Sequence, residues 1–314
     1  MERMRIGLIG WGTVGAALGE LIATKPLPVT VVRLAVRDAA RERASAPPSS
    51  AEIGSAQAVV EASDIDAVVE LAGGVEGPLD WARETLARGR PYVTANKALL
   101  ATHGAELAAV AGTHRGAALL ASASVGGGTP MIETVEHLAA TGAIARLRGL
   151  LNATTTFILS AMAQGRSYDE ALAAAQGAGY AEADPAFDVE GRDAAQKLAI
   201  LASVAWGRWR PEREVDTHGI VGTVLEPGRI VRLVAEADGE DLRVRPMELL
   251  PGTALASASG VESVLEVEVR DAGTVRVSGP GAGGRATAGA VYADLARLVA
   301  GERPILFGLR EGSR

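Results

Sequence analysis

The stretch MRIGLIGWGTVGAALGELIA, residues 4–23, decides the fold. Its opening MRIGLI is an apolar run suited to a buried strand, GWGTVG (10–15) is a glycine turn, and the Ala/Leu-rich remainder is a helix. The glycines at 10, 12 and 15 fall on the G-x-G-x-x-G spacing. Gly10 allows the tight turn, Gly12 lets a pyrophosphate approach the backbone, and Gly15 lets helix and strand pack closely. A phosphate would rest on the helix N-terminus, where free N–H groups and the helix dipole favour anions. The spacing alone also occurs in ordinary loops. Here it sits at the first strand–helix junction and a second strand (29–36) follows at the expected distance, so the expectation is a dinucleotide site. Trp11, inside the turn, is read as packing.

The end of the second strand reads Val36-Arg37-Asp38. Asp38 can bond a ribose 2′-hydroxyl, which favours NAD, while Arg37 can pair with a 2′-phosphate, which favours NADP. Arg41 and Arg43 nearby tilt the reading towards NADP without deciding it.

Outward from this stretch, ASAPPSS (44–50) reads as a surface loop. A strand at 66–72, a helix near 77–88, a strand at 91–95 and a strand at 117–123 continue a parallel, doubly wound sheet. After the glycine cluster SVGGGTP (124–130) the texture changes. A strand at 144–152 and helices near 156–164 and 168–176 precede alternating patterns at 229–237, 242–247, 264–270 and 274–278, expected to be strands of a mixed or antiparallel sheet. A final Ala/Leu helix covers about 285–300.

The chain has 314 residues, 48% of them hydrophobic and 22% charged, which at about 150 residues per domain predicts two domains of ordinary globular composition. The net charge of −7 and a pI near 5.3, without long Lys/Arg clusters, disfavour nucleic acid or anionic membrane as partners. No cysteine is present, which excludes thiolate nucleophiles, disulfides and cysteine metal sites and fits a reducing cytoplasm. No apolar run reaches the roughly 18 residues of a membrane span, and no cleavable signal precedes the first strand. His103, His114, His137 and His218 are scattered without ligand spacing and are read as structural or surface residues.

A second stretch carries chemistry. GYAEADPAFDVEGRDAAQKLAIL (179–201) holds the carboxylates of Glu182, Asp184, Asp188, Glu190 and Asp193 with the cations Arg192 and Lys197. Pro185 keeps its first half irregular, Gly191 breaks it, and residues 193–206 continue as a helix. Asp193 and Lys197 then lie one turn apart on one face. A carboxylate beside a lysine can bind a zwitterion and pass a proton; the competing reading is a solvated surface ion pair worth little.

The motifs GWGTVG, ELAGG (70–74), VTANKALL (93–100), SVGGGTP, NATTTFIL (152–159), the acidic stretch and GPGAGGRATAGAVYADL (279–295) follow one another as in homoserine dehydrogenases, which the chain resembles over nearly its full length. The acidic motif and VTANK carry the specificity. The resemblance implies NAD(P)-dependent interconversion of L-homoserine and L-aspartate 4-semialdehyde, on the threonine, methionine and isoleucine route. It implies a homodimer with a Rossmann-type domain (1–128, completed by 285–314) and an α+β catalytic and dimerisation domain (129–284), in a short form without the C-terminal regulatory domain; the cytoplasm is the location expected from the missing cysteines and signal. By the same resemblance Lys197 is the acid/base, Asp193 holds it, and Lys97 lies between nicotinamide and substrate. Glu182, Asp188, Tyr180 and Thr154 line the substrate pocket. Cofactor contacts fall at Gly10, Gly12, Thr13, Val14, Gly15, Arg37, Asp38, Thr94, Lys97 and Gly281.

Two departures are visible. Ser122 stands where the family commonly has a glutamate that, with following carbonyls, coordinates a monovalent cation. Carbonyls at Val125, Gly127 and Thr129 can still meet sodium, but a strong site is not expected. Ala153 and Thr156 stand where the family usually has glycine and asparagine. Two other readings stay open: a cofactor-binding regulator without catalysis, and a dehydrogenase of another amino or hydroxy acid. Acylating aspartate-semialdehyde chemistry is disfavoured because it needs a thiolate.

Overall fold

The computed structural model describes residues 3–37, 46–141, 144–226 and 228–307. These fall into two compact units, one running to Gly128 and resuming at Gly283, the other spanning Thr129–Ala282.

In the first unit the chain alternates β1 (Met4–Ile9), α1 (Thr13–Thr24), β2 (Val29–Ala35), β3 (Glu52–Gly54), α2 (Ala56–Glu61), β4 (Ala67–Glu70), α3 (Glu76–Ala87), β5 (Pro91–Thr94), α4 (Lys97–Thr113) and β6 (Ala118–Leu120). The strands pair in the order β3-β2-β1-β4-β5-β6, and every pairing is parallel. This is the doubly wound arrangement expected from the glycine turn, and its order reverses beside β1, where such sheets hold ligands beyond the carboxyl ends of their strands. The strands read as near-continuous apolar runs because helices cover both faces.

The short β3 and α2 lie where periodicity is too brief to register, and the sequence reading passes over them. Gly7 explains how α2 fits: a Cβ there would collide with Val59 of α2.

The second unit contains α5 (Met131–Ala139), β7 (Ile144–Leu150), α6 (Ala153–Ala163), α7 (Tyr168–Gly177), α8 (Ala186–Val189), α9 (Arg192–Trp206), β8 (Val215–Thr217), β9 (Val231–Ala237), β10 (Leu242–Glu248), α10 (Ala254–Ser257), β11 (Glu262–Val269) and β12 (Gly273–Pro280). Its sheet runs β12-β11-β7-β9-β10-β8. Only its β10–β8 pairing is parallel among the described strands, so the sheet is mixed. Helix α9 is bracketed by glycines in the left-handed region, Gly191 at φ 84° and Gly207 at φ 61°. Its apolar side (Leu198, Ile200, Leu201) is fully buried. The short α8 breaks up a stretch expected to be an irregular loop: Pro185 caps it and Asp184 Oδ1 accepts the Ala186 N–H at 3.1 Å, a local turn invisible to periodicity.

Helix α11 (Gly284–Val299) returns to the first unit. Its Ala288, Val291, Leu295 and Leu298 share one core with Ile6 and Leu8 of β1, Val31 of β2, Val69 of β4 and Val93 of β5. The Rossmann-type unit is therefore closed by a helix more than 150 residues away in sequence from the end of its sheet.

Candidate active site

The glycine turn divides its three glycines among three physical tasks. Gly10 has φ 107°, and a Cβ there would lie 2.7 Å from the Leu71 carbonyl of the neighbouring strand. A Cβ at Gly15 would press into the Gly10 carbonyl oxygen, 3.1 Å from the carbonyl carbon, so glycine lets α1 start directly on the turn. At Gly12 a Cβ would meet nothing within 4 Å. Gly12 is the N-cap of α1, and no side chain caps that terminus. The first-turn N–H groups, those of Thr13 and Val14 included, are therefore left without a side-chain cap beside open space at Gly12, the condition for holding an anion. These residues fit a dinucleotide pyrophosphate. Trp11 is 7% exposed and packs against α1, where a side chain at Gly19 would overlap its ring.

Arg37 is exposed at the end of β2; Asp38, Arg41 and Arg43 lie outside the described residues. Gly281 belongs to the second unit, where its lack of a side chain is explained by Ser263, whose Oγ occupies the space a Cβ would take.

The loops after β4 and β5 are held together by a residue that belongs to the ELAGG motif but that the motif does not single out. Glu70 is completely buried. Its Oε1 accepts the Ala72 and Gly73 N–H groups at 2.7 and 2.9 Å, and its Oε2 accepts the Thr94 hydroxyl at 2.7 Å. Thr94 Oγ1 accepts the Asn96 N–H (3.0 Å), and Asn96 reaches across to the Gly74 carbonyl (2.6 Å) while capping α4 at Leu99 (3.1 Å). Lys97, half-buried, is the first residue of that helix. The Thr94 hydroxyl is thus committed to Glu70, and the carboxylate fixes the backbone from which Lys97 projects.

In the second unit Lys197 Nζ donates to Asp193 Oδ2 at 2.8 Å and to the Leu151 carbonyl at 2.7 Å. The two side chains are 13% and 7% exposed. This is a sheltered ion pair, not the solvated surface pair of the competing reading. Asn152 caps α6 through Oδ1, which accepts the Thr155 N–H (2.8 Å), and its Nδ2 donates to Asp188 Oδ1 (2.7 Å) and Asp193 Oδ2 (2.8 Å). Thr154 Oγ1 lies 2.7 Å from the Tyr180 carbonyl and 3.1 Å from Asp188 Oδ2. Phe157 packs on the Tyr180 ring at 5.2 Å. Burial, reinforced by the neighbouring Asp193, pushes the Asp188 carboxyl above the usual range, against the opposing pull of the Asn152 and Thr154 hydrogen bonds and of Lys197.

Of the five carboxylates in the acidic stretch, then, Asp188 and Asp193 share one cluster. Glu182, Asp184 and Glu190 are exposed, and the main-chain carbonyl of Glu182 accepts from Gln176 Nε2 (3.1 Å). Tyr180 is 44% exposed. Asn152 is a site residue that the sequence reading misses, because nothing in its sequence neighbourhood tells which carboxylates, 36 and 41 residues away, it will meet.

The stretch expected to offer cation ligands, with Val125, Gly127 and Thr129, begins at Ser122. Ser122 is buried, and both its N–H (3.0 Å) and its hydroxyl (2.6 Å) donate to Asp294 of α11. The Thr129 carbonyl accepts the Met131 N–H at 2.7 Å. Ser122 thus brings no charge to the stretch Val125–Thr129, and its own donors are turned to Asp294. No group of three or more His, Cys, Asp or Glu among the described residues could hold a metal. Among the same residues no helix is long and apolar enough to cross a membrane.

Known proteins resemble the chain in sequence and in fold. A family model described as homoserine dehydrogenase matches residues 130–296, and one described as the homoserine dehydrogenase NAD binding domain matches residues 10–120. The homoserine dehydrogenase of Synechocystis sp. is 37% identical over 94% of this chain and 73% of its own length. That of Bacillus subtilis is 33% identical over 95% and 73%. The crystal structure of a homoserine dehydrogenase from Thiobacillus denitrificans superposes with a TM-score of 0.90 at 34% identity, covering 95% of this chain and 74% of that one. A hyperthermophilic archaeal homoserine dehydrogenase in complex with NADPH gives a TM-score of 0.84 at 27% identity over 97% of this chain and all of its own. The chain belongs to the homoserine dehydrogenase family, NAD(P)-dependent oxidoreductases that act on a CH–OH group.

Proposed function

We propose that Lys197 is the proton carrier of the homoserine reaction in this chain, that Asp193 orients it, and that Asp188 receives the substrate's ammonium group. The observation that carries this reading is the lysine's hydrogen bonding. An ammonium has three donors, and two of them are held by Asp193 and the Leu151 carbonyl. The third is left for a substrate oxygen. In the reducing direction Lys197 delivers its proton to the aldehyde oxygen as the alkoxide forms; in the oxidising direction the neutral amine takes the hydroxyl proton. The nicotinamide, when bound, supplies or accepts the hydride at the same carbon. Asp188, Asp193 and a protonated Lys197 together carry one net negative charge, which matches the ammonium of a zwitterionic amino acid. Glu182 and Tyr180 are exposed on the adjoining loop and accessible to that ligand.

The dinucleotide is proposed to lie on the N-terminus of α1 through the Gly12, Thr13 and Val14 amides, with Glu70 and Thr94 fixing the loop that bears Lys97. Arg37 favours NADP. The archaeal relative was solved with NADPH. No step in this reading passes through a cation. The family resemblance supports a homodimer, which sedimentation of the purified protein checks.

Homoserine supplied with NADP or NAD at alkaline pH is expected to generate reduced nicotinamide, faster with NADP. Faster turnover with NAD would overturn the role of Arg37, and binding of NADPH without homoserine-dependent hydride transfer would favour a regulator.

Asp188 gives a second expected result with a definite sign. A carboxyl whose folded pKa is raised binds its proton more tightly in the native state. Its contribution to stability is therefore present below the ordinary aspartate range and is lost as pH rises through the raised value. Asp188→Asn removes this loss, so the variant should be at least as stable as the parent at neutral pH. At the same time KM for homoserine should rise roughly tenfold or more, because a charge-assisted bond to the ammonium is gone. Thermal melts across pH and steady-state kinetics read the two effects; an unchanged KM would remove Asp188 from the substrate site.

A further inference from the structure

We propose that Asn152 is the positioning residue that divides the two clustered carboxylates, the buried Asp193 and the half-buried Asp188, between their tasks, holding Asp193 on Lys197 and keeping Asp188 for the substrate. This rests on the assignment of Lys197 and Asp188 just made.

Two carboxylates gathered beside one lysine have a competing arrangement, in which both turn to the cation and none is left for an incoming ammonium. In this chain the lysine bonds Asp193 alone of the two, and Asn152 Nδ2 bridges them, at 2.7 Å to Asp188 Oδ1 and 2.8 Å to Asp193 Oδ2. Both protons of one amide are consumed in keeping the carboxylates apart yet adjacent. The amide orientation is fixed by its surroundings: Oδ1 accepts the Thr155 N–H, so the nitrogen must face the carboxylates.

Its backbone is held as firmly. The Asn152 carbonyl accepts the hydroxyls of Thr155 (3.1 Å) and Thr156 (3.0 Å), and the residue is 4% exposed. The preceding carbonyl, Leu151, takes a second proton of Lys197. One dipeptide at the end of β7 thus grips all three charged groups of the cluster. Thr154, in the first turn of α6, donates towards Asp188 Oδ2 and completes the orientation of that carboxylate.

A purely structural role, capping α6, is the alternative, and Asn152→Asp separates the two. Aspartate caps as well as asparagine, so a capping role predicts no loss. An ionised aspartate has no proton to donate, and it faces Asp188, Asp193 and Lys197 with an added negative charge. Under the proposal kcat/KM for homoserine falls roughly tenfold to a hundredfold at neutral pH, with NADPH affinity unchanged. The ratio of variant to parent kcat/KM then rises as pH falls, because protonation of the introduced carboxyl restores one donor.

Carboxyl NMR of aspartate-labelled protein should show the titration of Asp188 displaced further upward in the variant. Should Asn152→Asp not fold, Asn152→Ser, which keeps the capping oxygen with a single shorter donor, is read for the same loss in kcat/KM and the same NMR displacement. Parent-like kcat/KM across pH together with an unmoved Asp188 titration would overturn the proposal. The two assignments fail distinguishably. If Lys197→Arg keeps turnover while Asn152→Asp still shifts Asp188, the proton carrier is misassigned and the positioning role of Asn152 stands.

Discussion

Lys197→Arg is expected to lower kcat by roughly a hundredfold to ten-thousandfold while leaving NADPH affinity and stability near the parent values. The two properties separate because the lysine does two things at once. It neutralises a carboxylate that is 7% exposed, and in the proposed role it loses and regains a proton in each cycle. Arginine performs the first task, since a guanidinium can pair with Asp193, but it does not deprotonate in a protein and so cannot serve as base. Lys197→Ala removes both functions. It leaves the Asp193 carboxylate buried without its cation, and breaking a buried pair on one side costs about 3–5 kcal/mol. Denaturant melts should show that loss in the alanine variant and little of it in the arginine variant, with turnover abolished in the former and reduced to a residue in the latter. Turnover retained at the parent rate in Lys197→Arg would sink the proton-carrier assignment, whatever the melts show.

The pairing of Asp193 with Lys197 was legible because it is local: four residues on one helix place two side chains together whatever the fold around them. What spacing could not supply was the environment. The same four-residue step on a solvated helix would be an inconsequential ion pair, and only the packing of α9 into the second unit shelters it. The density of acids in residues 179–201 suggested convergence. The structure separates Asp188 and Asp193 from Glu182, Asp184 and Glu190 because Pro185 and the short helix α8 turn Asp188 inward while the rest stay exposed.

Asn152 and Glu70 were harder to read for a related reason. Each acts through bonds whose partners are distant in sequence, Asp193 41 residues on in one case and Thr94 24 residues on in the other, and no local period encodes such a meeting. Ser122 shows the limit from the other side. Its departure from the family pattern was plain, but its partner Asp294 sits 172 residues away on a helix that folds back into the first core.

The glycine turn gives the second large effect, and it comes as a contrast. Gly12→Val is expected to weaken dinucleotide binding by about a hundredfold or more while leaving stability within roughly 0.5 kcal/mol of the parent. At φ −88° the position tolerates any L residue, and no atom lies within 4 Å of a Cβ built there. The valine methyls would fill the space beside the uncapped N-terminus of α1, which in the proposed binding mode the pyrophosphate enters to collect two or more charge-assisted hydrogen bonds. Gly15→Ala should behave in the opposite way. Glycine to alanine inside a helix ordinarily stabilises by up to about 1 kcal/mol. Here the added methyl overlaps the carbonyl of Gly10, a residue whose own N–H is bonded to the Ala35 carbonyl at 2.9 Å. Overpacking against a fixed neighbour costs about 1–3 kcal/mol, so the clash outweighs the helical gain and the variant melts earlier. Fluorescence titration with NADPH and thermal unfolding, run on both variants, test the division of labour. Undiminished NADPH affinity in Gly12→Val would remove the pyrophosphate from this turn, and a Gly15→Ala variant as stable as the parent would show that α1 can shift away from Gly10.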